Sequence, residues 1–231
     1  MTAEQFIDDL SALADEAHRL KLNHFGVPNA KALGVRMPDL RDFAKSFKGD
    51  ASLAVDLFAS NCHEAKMAAA FIYPLKALTP EQADQFMDGL YSWDLVDQFC
   101  SSLFAKTSFA SELPYLWTPL PGEFQRRSGI VTIACLSMKQ KNMPDAAFLP
   151  YLSLIKEYID DDRNFVKKAH SWALRTLGKR SLWLNEQVLK YLVENWQLES
   201  GRFEYWAAGD AYRELSDPKM QVRLRAKTSK A

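Results

Sequence analysis

The feature that most constrains this sequence is a helical periodicity that comes in pairs. Apolar residues at i, i+3 or i+4, and i+7 predict helices over Ala51 to Ala59 and Cys62 to about Leu78, then Pro80 to Leu90 and Trp93 to about Lys106. The pairing continues with Phe109 to Trp117 and Phe124 to Lys139, with Pro144 to Ile159 and Asn164 to Lys179, and with Leu184 to Trp196 and Phe203 to Leu215. Each second helix begins roughly thirty to forty residues after the previous one, the period of helix-pair solenoids. Alternating strand patterns are essentially absent. The sequence predicts an all-α chain.

The letters carry the same repeat. Phe124-Gln-Arg-Arg-Ser128, Phe165-Val-Lys-Lys-Ala169 and Phe203-Glu-Tyr-Trp-Ala207 each open on Phe and place a small residue four positions on. A small residue there lets neighbouring helices approach closely, and the Phe packs on the helix before it. The expectation is one solenoid domain of stacked antiparallel helical hairpins, of the HEAT kind, over residues 1–216. Its second helices would line a concave basic face. Upstream of the pairs, Ala3 to Leu20 reads as an amphipathic helix with Phe6, Leu10, Leu13 and Ala17 on one face. It would either cap the solenoid or grip a ligand. The stretch Asn23 to Pro38, with Gly26, Pro28 and Gly34, reads as loop, and Pro38 opens a helix to about Phe47.

With 231 residues and 48% hydrophobic composition the chain can bury a substantial core. No apolar run is long enough to cross a membrane. The stretch Met1 to Asp9 lacks a basic segment followed by an apolar one, so no secretory leader is expected. Cys62, Cys100 and Cys135 are far apart within apolar helical patterns and read as reduced core thiols, which suits a cytoplasmic protein. His18, His24, His63 and His170 have no metal-ligand spacing, so no metal site is expected.

Net charge is zero, but its distribution is uneven. Between Arg163 and Arg180 the chain carries Lys167, Lys168, Arg175 and Lys179 and no carboxylate. On a helix, Lys168, Trp172, Arg175 and Lys179 form one stripe, while Phe165, Ala169, Ala173 and Leu177 form the opposite, core-facing one. Trp172 thus falls on the charged side; the alternative is a surface Trp covered by long basic side chains. Arg126 and Arg127 stand at a helix start, where cations oppose the macrodipole unless an anion compensates. Phosphate oxygens would do so, as would a salt bridge to Glu123 or Asp94. A second basic cluster, Lys219, Arg223, Arg225, Lys227 and Lys230, reads as a loosely ordered tail over 217–231.

Ser92-Trp-Asp-Leu-Val-Asp97 opens a further second helix. Trp93 and Asp97 lie one turn apart on a stripe that continues through Cys100 towards Phe104. Taken alone, Trp93 could be a core aromatic beside an acidic helix start. With two tryptophans and a row of cations on neighbouring helices, the pair reads differently. Cations suit a polyanion and exposed indoles suit a sugar or base face. A carboxylate on such a surface repels phosphate, so it needs a cationic target.

These residues resemble the AlkD-type DNA alkylation repair proteins, the HEAT-like glycosylases of alkylated purines. The matching pieces are Gly34-Val-Arg-Met-Pro-Asp-Leu-Arg41, Ser92 to Asp97, Gln125-Arg-Arg-Ser-Gly-Ile130 and Phe165 to Arg175, and the likeness runs from about Gly34 to Leu215. The resemblance implies hydrolysis of the N-glycosidic bond of cationic N3- or N7-alkylpurines in double-stranded DNA, without a metal or cofactor. It implies Asp97 as catalytic carboxylate, Trp93 and Trp172 as its aromatic partners, and a monomer, nucleoid-associated in a bacterium. It implies Arg127 as phosphate ligand, with Arg126 as the neighbouring alternative, and Arg175 as a further basic position; Lys168 and Lys179 join them as expected DNA contacts by their place on the cationic stripe. A DNA-binding module without catalysis, or a HEAT scaffold that anchors a protein through Trp93 and Trp172, are the competing readings.

Overall fold

The computed structural model describes residues 1–228, and their α-helices are joined by loops and short 3-10 turns. In chain order they are α1 (Ala3–Ser11), α2 (Glu16–His24), α3 (Met37–Ala44), α4 (Ala51–Ala59), α5 (His63–Ile72), α6 (Pro80–Asp88) and α7 (Trp93–Ser102). Then come α8 (Leu113–Trp117), α9 (Glu123–Lys139), α10 (Leu149–Glu157), α11 (Asn164–Gly178), α12 (Leu182–Trp196), α13 (Trp206–Leu215) and α14 (Pro218–Thr228). The pairs α4/α5, α6/α7, α8/α9, α10/α11 and α12/α13 occupy the segments that periodicity predicts. Where the repeat alone draws one continuous domain, the chain forms two compact units, Met1–Thr107 and Ser108–Ala231.

In the first unit α5 is the central element and packs on α3, α4 and α7. Its sequence supplies the reason: Ala65, Ala68 and Ala69 are fully buried, so neighbouring helices come close. Two aromatic clusters fill the remaining space. Phe6 meets Phe43 and Phe47 edge-on at 5.0 and 5.1 Å, and Phe58, Phe86 and Phe99 meet at 4.8 to 5.5 Å. Because Phe6 and Leu10 are fully buried and α1 packs on α4 and α5, α1 is a structural cap.

The helix predicted over Ala3 to Leu20 is broken. Asp15 interrupts it as the N-cap of α2, its carboxylate accepting from the His18 N–H at 2.9 Å. Leu13, expected on the buried face, is therefore exposed. The loop after α2 is held from inside. The Glu64 carboxylate, buried in the first turn of α5, accepts the N–H groups of Leu33 at 2.9 Å and Gly34 at 2.7 Å.

In the second unit α11 packs on α9, α12 and α13. Ala169, Ala173 and Leu177 are fully buried, as their stripe predicts. Two copies of the Phe repeat work as expected: Phe124 and Phe165 stack with centroids 5.7 Å apart, and Ser128 and Ala169 are fully buried. The third copy is displaced. Phe203 precedes α13, bridges to Gln197 and packs on Tyr212 at 4.9 Å.

The segment predicted as a loose basic tail is helical through Thr228. Pro218 opens α14, Leu224 is buried, and the Gln221 side chain donates to Asn185 Oδ1 and Leu215 O at 2.8 and 2.7 Å. Lys230 lies outside the described residues. The error has a physical cause: a helix with few apolar residues shows weak periodicity, and one buried Leu plus one Gln anchor α14 to α12 and α13.

Candidate functional site

The predicted site residues fall in both units: Trp93 and Asp97 on α7, and Arg126, Arg127, Lys168, Trp172, Arg175 and Lys179 on α9, α11 and the residue after it. At the start of α7, Ser92 is extended and its hydroxyl donates to Asp94 Oδ1 at 2.6 Å. The same carboxylate accepts the Leu95 N–H at 2.9 Å and faces His63 Nε2 at 2.9 Å. His63 Nδ1 lies 2.9 Å from the Tyr91 hydroxyl. With Nε2 protonated, the buried imidazole donates to Asp94 and accepts from Tyr91. Burial works to raise the Asp94 carboxyl, but the hydrogen bonds from His63, Ser92 and Leu95 outweigh it and hold the group below its ordinary range. Burial also pushes the Tyr91 hydroxyl up to about 12, which keeps it a donor. Asp94 thus fastens the α7 N-terminus to α5.

Asp97 is half-buried one turn further on, on the face of Trp93. Trp93 is half-buried too. Its indole N–H donates to Phe25 O at 2.9 Å, which ties the edge of the ring to the loop after α2. The stripe then sinks inward, because Cys100 and Phe104 are fully buried. Phe25, 61% exposed, escaped the sequence reading. An aromatic directly before Gly26, at the end of α2, is the signal that could have found it.

The arginines at the start of α9 are turned inward. Arg127 is only 5% exposed and donates to Phe165 O at 2.6 Å. Arg126 pairs with Asp161 at 2.6 Å, donates to Thr118 O at 3.0 Å and lies over the Tyr158 ring at 4.8 Å. Both guanidinium groups direct donors at the fold itself, Arg127 at a carbonyl and Arg126 at a carbonyl and a carboxylate. The carboxylate that Arg126 meets is Asp161, across the α10–α11 connection.

On α11, Lys168 is exposed and makes no ion pair with a described residue. Trp172 is half-buried on the same side. Arg175 pairs with Glu214 at 2.8 Å and lies 3.7 Å from Asp210, and Lys179 pairs with Glu214. The stripe is therefore real, but α13 supplies the carboxylates that the segment itself lacks. Burial tends to raise the Glu214 carboxyl; its hydrogen bonds to Lys179 and Arg175 prevail and lower it.

His170 is fully buried on α11, and neither ring nitrogen has a hydrogen-bond partner among the described residues. Burial pushes its pKa down to about 3, well below the ordinary 6.5. The unfolded imidazole protonates first as pH falls, so stability is full above 6.5 and is lost progressively towards 3. The expected loss between pH 7.5 and pH 5 is about 2 kcal/mol. Urea unfolding at the two pH values measures it, and His170→Leu should remove that part of the slope. An unchanged slope in the variant would rule out His170 as its source.

Two of the clefts carry clusters of four or more cations. One, of about 650 Å³ in the first unit, is lined by Arg41, Lys45, Lys48 and Lys106 with Phe71 and Tyr73. Arg41 there donates to Gln98 Oε1 at 2.9 Å and lies 5.4 Å from the Phe71 ring centre. The other, of about 760 Å³ in the second unit, holds Trp172 with Lys141, Asp145, Lys179, Arg180 and Arg223.

Comparison with known proteins supplies the family. The family model described as "DNA alkylation repair enzyme" matches residues 6–215. The chain belongs to the DNA alkylation repair enzyme family. A solved structure described as "a new family of proteins related to the HEAT-like repeat DNA glycosylases with affinity for branched DNA structures" superposes with a TM-score of 0.80. It shares 19% sequence identity, over 97% of this chain and 96% of that one, and shows that the fold is HEAT-like. No curated protein matches. For this member of the DNA alkylation repair enzyme family, the match ends at the last residue of α13, so α14 stands beyond it.

Proposed function

We propose that this chain hydrolyses the N-glycosidic bond of cationic N3- or N7-alkylpurines in duplex DNA. The observation that carries the reading is the placement of Asp97 on α7: its carboxylate is half-buried, one helical turn from the half-buried Trp93 and on the same face. An alkylated purine already carries positive charge, so it leaves as a neutral base without a general acid. As the bond to the anomeric carbon breaks, the bonding pair goes to the base and positive charge develops on the deoxyribose. Asp97 stabilises that charge electrostatically and orients a water, whose oxygen bonds to the anomeric carbon and whose proton is released to solvent. Trp93 offers its ring face to the cationic centre and excludes bulk water.

The test is release of 7-methylguanine from alkylated duplex DNA. Asp97→Asn keeps the shape of the side chain and removes its charge, so excision should fall about 100-fold or more while duplex binding persists. Equal release by the wild type and the variant, both at the rate of spontaneous depurination, would reject the glycosylase reading.

One set of observations favours a second reading, DNA binding without excision. Arg127 is buried, and Arg175 and Lys179 are matched by carboxylates. The structurally similar protein is described by its affinity for branched DNA. Binding that prefers a four-way junction over linear duplex, with 7-methylguanine left in place, would support this reading over the first.

A further inference from the structure

We propose that α14 is part of the DNA-binding surface and that Arg223, with Lys141, holds backbone phosphates of the strand lying against Trp172. The inference rests on the DNA-directed reading above, but it does not depend on excision.

The cleft around Trp172 carries more cations than its own structure needs. Arg180 is committed: it pairs with Asp145 at 2.7 Å, donates to Ser137 O and Met143 O at 2.7 and 2.6 Å, and lies over the Phe148 ring at 4.6 Å. Lys179 is paired with Glu214. Together Lys179 and Arg180 also offset the partial negative charge at the C-terminal ends of α9 and α11. Lys141 and Arg223 remain. Both are exposed, both line the cleft, and neither makes an ion pair with a described residue.

Arg223 does not hold the fold. The anchors of α14 are Leu224, 1% exposed, and Gln221, whose amide reaches Asn185 and Leu215. Those anchors fix the helix so that Arg223 stands over the mouth of the Trp172 cleft, with Met220 and Lys179 beside it. An open cleft with an indole wall and two uncompensated cations at its rim suits a flexible polyanion that also has flat faces. A phosphodiester strand has both. A carboxylate-bearing peptide would satisfy the cations but would leave the indole without a planar partner.

The experiment measures affinity for duplex DNA against salt concentration, for the full chain and for Arg223→Gln, Lys141→Gln and Lys219→Gln. Lys219 is an exposed cation on the same helix that does not line the cleft. Each phosphate contact contributes about 0.9 to the slope of log affinity against log salt on duplex DNA. Arg223→Gln and Lys141→Gln should each lower the slope by about that amount, with an unchanged melting temperature, and Lys219→Gln should leave it alone. A slope unchanged in Arg223→Gln, where the wild type binds, overturns the proposal and leaves the proposed function standing. Equal losses in Arg223→Gln and Lys219→Gln overturn it too, because α14 would then act as diffuse charge. A wild type that binds DNA but excises nothing fails the glycosylase reading only. One that does not bind DNA at all fails both.

Discussion

Gly34→Ala is expected to destabilise the first unit by about 3–5 kcal/mol, through left-handed backbone strain added to an overlap with backbone that cannot yield. Gly34 has φ +82°, and a Cβ there would lie 2.1 Å from Asp15 O and 2.7 Å from Arg19 N. Those atoms belong to the first turn of α2 and its N-cap, so relief requires moving the helix. The neighbouring bonds resist such movement. Gly34 N–H is held by Glu64 at 2.7 Å, and Gly34 O lies 2.9 Å from His18 Nδ1. Denaturant unfolding measures the loss, with Gly49→Ala as the control. Gly49 also has positive φ, at +101°, but a Cβ there meets nothing within 4 Å, so that variant carries only the backbone strain of about 1–2 kcal/mol. Equal losses in the two variants would show that the contact with α2 is irrelevant. Because the loop after α2 receives the Trp93 indole N–H at Phe25 O, Gly34→Ala should also loosen Trp93.

Asp161→Ala is expected to cost about 3 kcal/mol, since it strips a buried anion from two arginines that are partly withdrawn from water. The Asp161 side chain is 6% exposed. It pairs with Arg126 at 2.6 Å and with Arg163 Nη2 at 2.5 Å, and it accepts from the Arg163 N–H at 3.2 Å. Burial would raise its carboxyl, but the hydrogen bonds from Arg163 and Arg126 prevail and bring it down to about 2. The sign follows: this stabilisation is complete above 3.8 and is lost as pH falls towards 2. Acid unfolding should therefore have two windows, the upper one from His170 and the lower one from Asp161. Urea titrations of Asp161→Ala at pH 7 give the first number, and the disappearance of the lower window gives the second. If Arg126 instead served DNA, the variant would bind duplex more tightly with little loss of stability, and the inward placement would be wrong in its consequences.

Much of the fold was legible because helix pairing is written locally. The stripe Phe165, Ala169, Ala173, Leu177 had to face inward wherever α11 packed, and it does. The Phe124 and Phe165 repeat likewise announced that neighbouring helices approach closely. Local reading failed where a distant residue set the outcome. Asp15 divides the first amphipathic stretch because its side chain caps α2. Phe203 lies outside α13 because the chain first bridges back to Gln197. The 217–231 segment was read from its charge, yet a buried Leu and a Gln that reaches Asn185 anchor α14.

For the site, the sequence by itself determined the pairing of Trp93 with Asp97 and of Trp172 with Lys168, since helical geometry puts residues three and four apart on one face. It also made Asp94 and Asp97 look alike except for that face. Only the tertiary structure decided what each charge meets. His63 and Ser92 take Asp94, Asp161 and a carbonyl take Arg126, Phe165 O takes Arg127, and Asp210 and Glu214 face Arg175 and Lys179. The physical reason is range. Periodicity depends on neighbours within two turns, whereas the charge a cation presents to a ligand depends on which carboxylate a helix some forty residues away brings within hydrogen-bond reach.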